Sequence, residues 1–283
     1  MSTSRRYHSE FATQIMNEYT EAVVSVVIPY SAEYTPEHML EAAKESATEQ
    51  SVKTELIVVR DTEQRGPAWA RNEGIKRAST RFVAFLDADD LWLDGKLDKQ
   101  LREMERTGAG LCVEYAGESF DQLIADLLLG SAGSMTSSVL IDTERITTRF
   151  DQSLQGREDH LFILEAASEG GVCFQENLTE IRKHDGGLSA SVDTQTAYEI
   201  RREYISRVEQ RVPEARDLVV EYQIRILELR TSVHLLRSFR TAGFFRHLRR
   251  AIAVDGALQF GTQCLKEAIR FVQDTLFTSR ATR

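Results

Sequence analysis

Three carboxylates, Asp87, Asp89 and Asp90, fall within four residues just beyond the apolar run Phe82-Val83-Ala84-Phe85-Leu86. Like charges packed this closely repel unless a cation lies among them. Mg²⁺ or Mn²⁺ suits such a cluster, because both take oxygen ligands and fill their remaining positions with water and substrate phosphate. An ion held there would neutralise a departing diphosphate. The plainer reading is a solvated turn, with Asp94 capping the helix that follows. A second group, Arg157-Glu158-Asp159, opens a predicted helix, where carboxylates meet the positive end of the macrodipole and by themselves read as capping. A third, Arg182-Lys183-His184 followed by Gly186-Gly187-Leu188-Ser189, is a basic loop of a kind that meets phosphates, although solvated basic loops look the same.

The elements around these groups alternate. Val23 to Ile28 is β-branched almost throughout and predicts a strand buried on both faces, ended by Pro29. Thr35-Pro36-Glu37 predicts a helix start with a hydroxyl at the N-cap, the helix running to about Gln50. A second strand is expected over Glu55 to Val59, a helix from Gly66-Pro67 to about Ala78, a third strand over 82–86 and a short fourth over Leu111 to Glu114. Further on, Gly130 to Ser134 reads as a loop, Ser138 to Ile141 as a strand and Arg157 to Ala167 as a helix. Val172 to Phe174 and Leu178 to Arg182 follow as short strands. This order predicts an α/β fold with a doubly wound, mostly parallel sheet, whose ligands lie outside the carboxyl ends of the strands. Asp87 to Asp90 lie at such an end.

Composition narrows the function. The 283 residues are 42% hydrophobic, enough for a real core. A net charge of -9 argues against nucleic acid as the main partner. No apolar run approaches the roughly 20 residues a membrane span needs, and a polar leader over 1–22 predicts a cytoplasmic protein. Cys112, Cys173 and Cys264 lie far apart and suggest neither a disulfide framework nor a zinc site.

The chain resembles the family 2 glycosyltransferases of the GT-A fold. Their first half carries, in order, a Val-Ser-Val-Val-Ile-Pro opening, a Gly-x-x-x-Ala-Arg-Asn helix start and a Phe-Leu-Asp-x-Asp-Asp metal motif. Here these are Val24 to Pro29, Gly66 to Asn72 and Phe85 to Asp90. The resemblance implies an inverting transferase that moves a sugar from a nucleotide-diphosphate sugar to a hydroxyl of a glycan or lipid-linked acceptor. It implies Asp89 as direct metal ligand, Asp87 as metal ligand lying nearer the ribose, and His184 as a further ligand. Asp159 becomes the base that takes the acceptor proton, with Glu158 and Ser137 on the acceptor side. Donor contacts are implied for Pro29, Tyr30, Glu33, Asp61, Arg71, Asn72 and Arg182. Among these, Tyr30 would stack on the base, and Arg71 and Asn72 would meet the nucleotide or brace the metal loop.

The chain also departs from the family. Between the second strand and the Ala-Arg-Asn helix it has only Arg60-Asp61-Thr62-Glu63-Gln64-Arg65, so one α/β repeat is shortened and a smaller sheet is expected. Arg60 stands where an acidic neighbour of Asp61 is usual, which leaves a UDP-sugar favoured and a GDP-sugar open. The transferase domain is expected over 23–192. The helical C-terminal region over 193–283 includes a basic, apolar stretch from Arg237 to Arg250 suited either to packing or to peripheral contact with an anionic membrane face. Two other functions fit the same residues: a non-catalytic sugar- or nucleotide-binding scaffold, and a sugar-nucleotide nucleotidyltransferase.

Overall fold

Val24–Tyr30 forms the first strand (β1), and Val24 to Ile28 are fully buried, as their β-branched run requires. The strand does not stop at Pro29. Two residues earlier along the same edge, the Val27 carbonyl accepts the Leu86 N–H at 3.0 Å. The neighbouring strand Phe82–Phe85 (β3) pairs only as far as Val27 with Phe85. Pro29 therefore faces a side with no ladder left to join, and its missing N–H costs no hydrogen bond. On the other side β1 pairs in parallel with Thr54–Arg60 (β2) along its whole length, ending at Tyr30 with Arg60.

The structure, a computed structural model, describes residues 22–129, 136–182, 184, 193–222, 246–247 and 250. The described residues fall into two compact units. One is drawn from Met1–Leu123, Gly133–Ser153 and Glu158–Ala190, the other from Ile124–Ala132, Leu154–Arg157 and Ser191–Arg283.

In the first unit, helix Glu37–Thr48 (α1) joins β1 to β2, burying Met39, Leu40, Ala43 and Ala47 at helical spacing. Pro36, not Thr35, occupies its N-cap, without a side-chain cap. Thr35 is held instead in a turn through its N–H to the Ser31 carbonyl at 3.0 Å. The short turn 61–66 leads straight from β2 into helix Pro67–Arg77 (α2), as the shortened repeat requires. Helix α2 lies so close to β1 that a Cβ on Gly74 would sit 2.1 Å from Val27 Cγ1.

After β3 comes a strand the sequence concealed, Asp90–Trp92 (β4), then helix Lys96–Thr107 (α3). Its N-cap is Gly95 in the left-handed region, with no side-chain cap, so Asp94 does not cap it. Gly108, also left-handed, closes it. Leu111–Glu114 (β5), Phe120–Leu129 (α4), Leu140–Asp142 (β6), Glu158–Gly170 (α5), Val172–Gln175 (β7) and Thr179–Ile181 (β8) follow.

The main sheet has the order β2-β1-β3-β6-β5-β7. Only β6 runs against its neighbours, so the sheet is mostly parallel. Strands β4 and β8 form a separate antiparallel pair. The chain leaves β1 towards β2 on one side and returns to β3 on the other, which makes the carboxyl ends of β1 and β3 a topological switch point.

In the second unit, Thr194–Arg211 (α6) starts at Asp193, whose carboxylate accepts the N–H groups of Gln195 and Thr196 at 2.9 and 3.2 Å. A shorter helix, Arg216–Tyr222 (α7), follows. Of the basic stretch from Arg237 to Arg250, only Arg246, His247 and Arg250 are described, and the glycine-containing loop 186–189 lies outside the described residues. No helix among the described residues is long and apolar enough to cross a membrane.

Candidate active site

The acidic loop hangs between two supports. At its start, Asp87 follows β3, half-buried, and its backbone N–H donates to Ser137 Oγ at 3.0 Å. At its end, Asp90 and Trp92 belong to β4 and are tied to β8. Ser137 is the strut between them. Its hydroxyl donates to Asp90 Oδ2 at 2.5 Å, and its carbonyl accepts from Trp92 Nε1 at 2.7 Å and Thr179 Oγ1 at 3.2 Å. Burial pushes the Asp90 carboxyl up to about 7, the Ser137 hydroxyl opposing the rise and the charges of Asp87 and Asp89 adding to it. Asp90 is thereby a structural acid, while Asp87 and Asp89 stay partly open.

Arg182 grips the same loop from β8. Its Nε donates to the Asp89 carbonyl at 2.6 Å, and its Nη2 reaches the carbonyls of Met39 at 2.9 Å and Ala88 at 3.4 Å. The guanidinium expected to meet the donor is thus engaged by backbone. Two residues on, His184 Nε2 lies 3.0 Å from Asp89 Oδ2.

Arg71 joins this loop to the second acidic group. The side chain is buried, with Nη2 2.8 Å from Asp87 Oδ1 and Nη1 3.1 Å from Glu158 Oε1. Burial opposes its charge, but Asp87, Glu158 and Asp159 together outweigh that and hold its pKa above the ordinary value. Its Nε is buried with no hydrogen-bond partner among the described residues. Glu158 is itself buried, and desolvation raises its pKa against the pull of Arg71. The neighbouring Asp159 is half-buried at the first turn of α5. Its Oδ1 accepts the His160 N–H at 2.8 Å, and its Oδ2 has a long contact of 3.5 Å from Thr136 Oγ1 among the described residues.

Several residues expected to touch ligand are engaged within the protein, Asn72 and Asp61 by backbone groups and Tyr30 and Glu33 by side chains. Asn72 closes both amide hydrogen bonds on the Phe150 backbone, at 2.8 and 2.9 Å. Asp61 accepts the N–H groups of Arg65 and Gly66 at 2.9 and 2.7 Å, fastening the short turn. Tyr30 is buried, its hydroxyl donating to Glu37 Oε2 at 2.7 Å, and it offers no open face for a base. Glu33 is exposed and accepts from Gln64, and Pro29 lies half-buried inside β1. Ser137 and Glu158, expected on the acceptor side, are both buried struts.

A divalent ion fits what remains. Asp89 and His184, hydrogen-bonded to one another at 3.0 Å, are the side chains that would hold it, with Asp87 beside them. No three His, Cys, Asp or Glu side chains converge into a ready-made cage among the described residues. That suits an ion bound by few side chains and completed by water and phosphate.

The model of the glycosyl transferase family 2 matches residues 26–123, from inside β1 into α4. The chain is similar to this family over that segment. Within the matched residues lie most of β1, all of β2 to β5, the acidic loop and Arg71. The putative teichuronic acid biosynthesis glycosyltransferase TuaG of Bacillus subtilis is 29% identical over 157 residues, covering 50% of this chain and 62% of that protein. The UDP-Glc:alpha-D-GlcNAc-diphosphoundecaprenol beta-1,3-glucosyltransferase WfgD of Escherichia coli is 32% identical over 113 residues, 31% of this chain and 42% of that protein. The chain thus spans less than two thirds of either relative. The structure of S. aureus TarS 1–349 in complex with UDP-GlcNAc aligns with a TM-score of 0.50 at 18% identity, covering 86% of this chain and 79% of that one. This likeness establishes the GT-A-like fold.

Proposed function

We propose that this protein is an inverting, metal-dependent glycosyltransferase that moves a sugar from a nucleotide-diphosphate sugar, a UDP-sugar first, to a hydroxyl of a glycan or lipid-linked acceptor. The observation that carries the reading is Arg71. One buried guanidinium ties the carboxylate at the end of β3 to the carboxylate pair that opens α5. The domain doing this work is 23–192. The names of the relatives support the substrate classes: WfgD uses UDP-Glc and a diphosphoundecaprenol-linked sugar, and TarS was solved with UDP-GlcNAc.

In this reading Asp89 and His184 hold Mg²⁺ or Mn²⁺, with Asp87 beside them. The bound ion supplies charge neutralisation for the leaving diphosphate. Arg71 orients Asp87 through their 2.8 Å ion pair and ties it to Glu158. Arg182 and Ser137 hold the acidic loop in shape from both ends. Asp159 takes the proton of the acceptor hydroxyl as that oxygen attacks the anomeric carbon from the face opposite the diphosphate. Its loosely held Oδ2 is the oxygen that fits this step.

Asp159→Asn separates base from donor site. Transfer is expected to fall by about 10²- to 10⁴-fold while UDP-sugar binding with Mn²⁺, measured calorimetrically, stays within about twofold of wild type. A variant with undiminished transfer removes Asp159 from the role. Wild-type protein that binds donors but turns over none favours the scaffold.

A further inference from the structure

Tyr30 and Arg60 are register partners at the carboxyl ends of β1 and β2. The Arg60 guanidinium lies over the Tyr30 ring, 4.9 Å from its centre. The ring is 4% exposed. Glu37 binds the same guanidinium along its edge, Oε1 accepting from Nη2 at 2.7 Å and Oε2 from Nη1 at 3.2 Å. With one face turned to a tyrosine and an edge held by a carboxylate, a planar cation keeps its other face for solvent or a ligand, and the Arg60 side chain is 53% exposed.

The surroundings limit what else could receive a base here. Asp61 has both carboxylate oxygens on backbone N–H groups. The end of β2 lies two strands from the end of β3. Two strand spacings are roughly 10 Å, a separation suited to a base at Arg60 and a diphosphate at Asp87 and Asp89. Guanidinium planes stack well on nucleobases.

We propose that Arg60 is the platform on which the donor's nucleobase stacks, in the layer order Tyr30, Arg60, base. This deepens the donor reading above and rests on it. Stacking uses the π-face that every base has, so the platform accepts uracil and guanine alike.

The test is the affinity of the full chain for UDP and for GDP, each with Mn²⁺, by titration calorimetry. Arg60→Ala should weaken both by roughly 5- to 100-fold, the range of a lost stacking contact. Arg60→Lys keeps the charge without the plane and should weaken both nearly as far. Arg60→Phe keeps a plane without the charge and should bind more tightly than Arg60→Ala. Unchanged affinity in Arg60→Ala, full recovery in Arg60→Lys, or loss of one nucleotide with retention of the other overturns the platform while leaving the donor site standing. Wild-type protein that binds neither nucleotide overturns the donor reading and the platform with it.

Discussion

Arg71 Nη2 and Asp87 Oδ1 are 2.8 Å apart, a largely buried ion pair between helix α2 and the end of strand β3. The same guanidinium serves Glu158 at 3.1 Å. Removing it leaves a buried Glu158 and a half-buried Asp87 without their cation. Arg71→Ala is therefore expected to lower the unfolding free energy by about 3–5 kcal/mol, read from urea denaturation. A loss below about 1 kcal/mol would mean that the carboxylates find water or another cation.

Gly74 tests how closely α2 lies on the sheet. Replacing an interior helix glycine with alanine ordinarily stabilises by about 1 kcal/mol. Here the new methyl would meet Val27 Cγ1 at 2.1 Å. Gly74→Ala is expected to destabilise by about 1–3 kcal/mol. Adding Val27→Ala should recover part of that in a double-mutant cycle, and strict additivity of the two changes would show that the contact is looser than drawn.

Lys96 is fully buried, its ammonium 2.7 Å from Gln100 Oε1, 3.3 Å from Glu114 Oε1 and over the Trp92 ring at 4.9 Å. Burial drives its pKa below the ordinary lysine value, against the pull of Glu114. Lys96→Met alone deprives a buried carboxylate of its cation and should cost about 3–5 kcal/mol, whereas Lys96→Met with Glu114→Met should lie closer to wild type. Thermal unfolding of the three proteins decides. Equal melting temperatures for single and double variants would refute the pairing.

Glu37 gives a pH signature. Hydrogen bonds from Arg60 and then Tyr30 lower its pKa from 4.5 to about 2. A depressed acid stabilises the fold above its unfolded pKa and loses that contribution as pH falls through the folded one. The window is thus about pH 4.5 down to 2, and the exposed position keeps the effect small. Glu37→Gln should flatten the fall in Tm across this window, and curves of equal steepness would show that the pair contributes nothing.

Much of this architecture can be read from the chain. The runs at β1 and β5 announce themselves because strands buried on both faces are apolar nearly throughout. The acidic loop and His184 read equally as a solvated turn and a solvated basic loop, and stand out only through the ordered motifs of the resemblance. What could not be read depends on distant backbone. Asp90-Leu91-Trp92 is a strand only because β8 pairs with it, and nothing in three residues signals that. Asn72, Asp61, Arg182 and Ser137 carry side chains that suit a ligand and a main-chain group equally well. Which of the two each meets is decided by loops far away in sequence, such as Phe150 for Asn72. Arg60 stood out as a departure, yet its place over Tyr30 follows from strand register, which the sequence does not state.

The antiparallel strand β6 joins two parallel groups, with β1 to β3 on one side and β5 with β7 on the other. The first group ends at Phe85, so that half of the sheet can assemble while the remainder of the chain is still being synthesised. The second group has no route to the first until β6 has emerged, because β6 alone is hydrogen-bonded to both. The expected folding order is therefore directional, with amides of β1 to β3 gaining protection from hydrogen exchange before those of β5 and β7. Asp87 lies at the end of the early half and Asp159 in the helix that follows β6, so the proposed metal site and the proposed base come together only after the early half has formed.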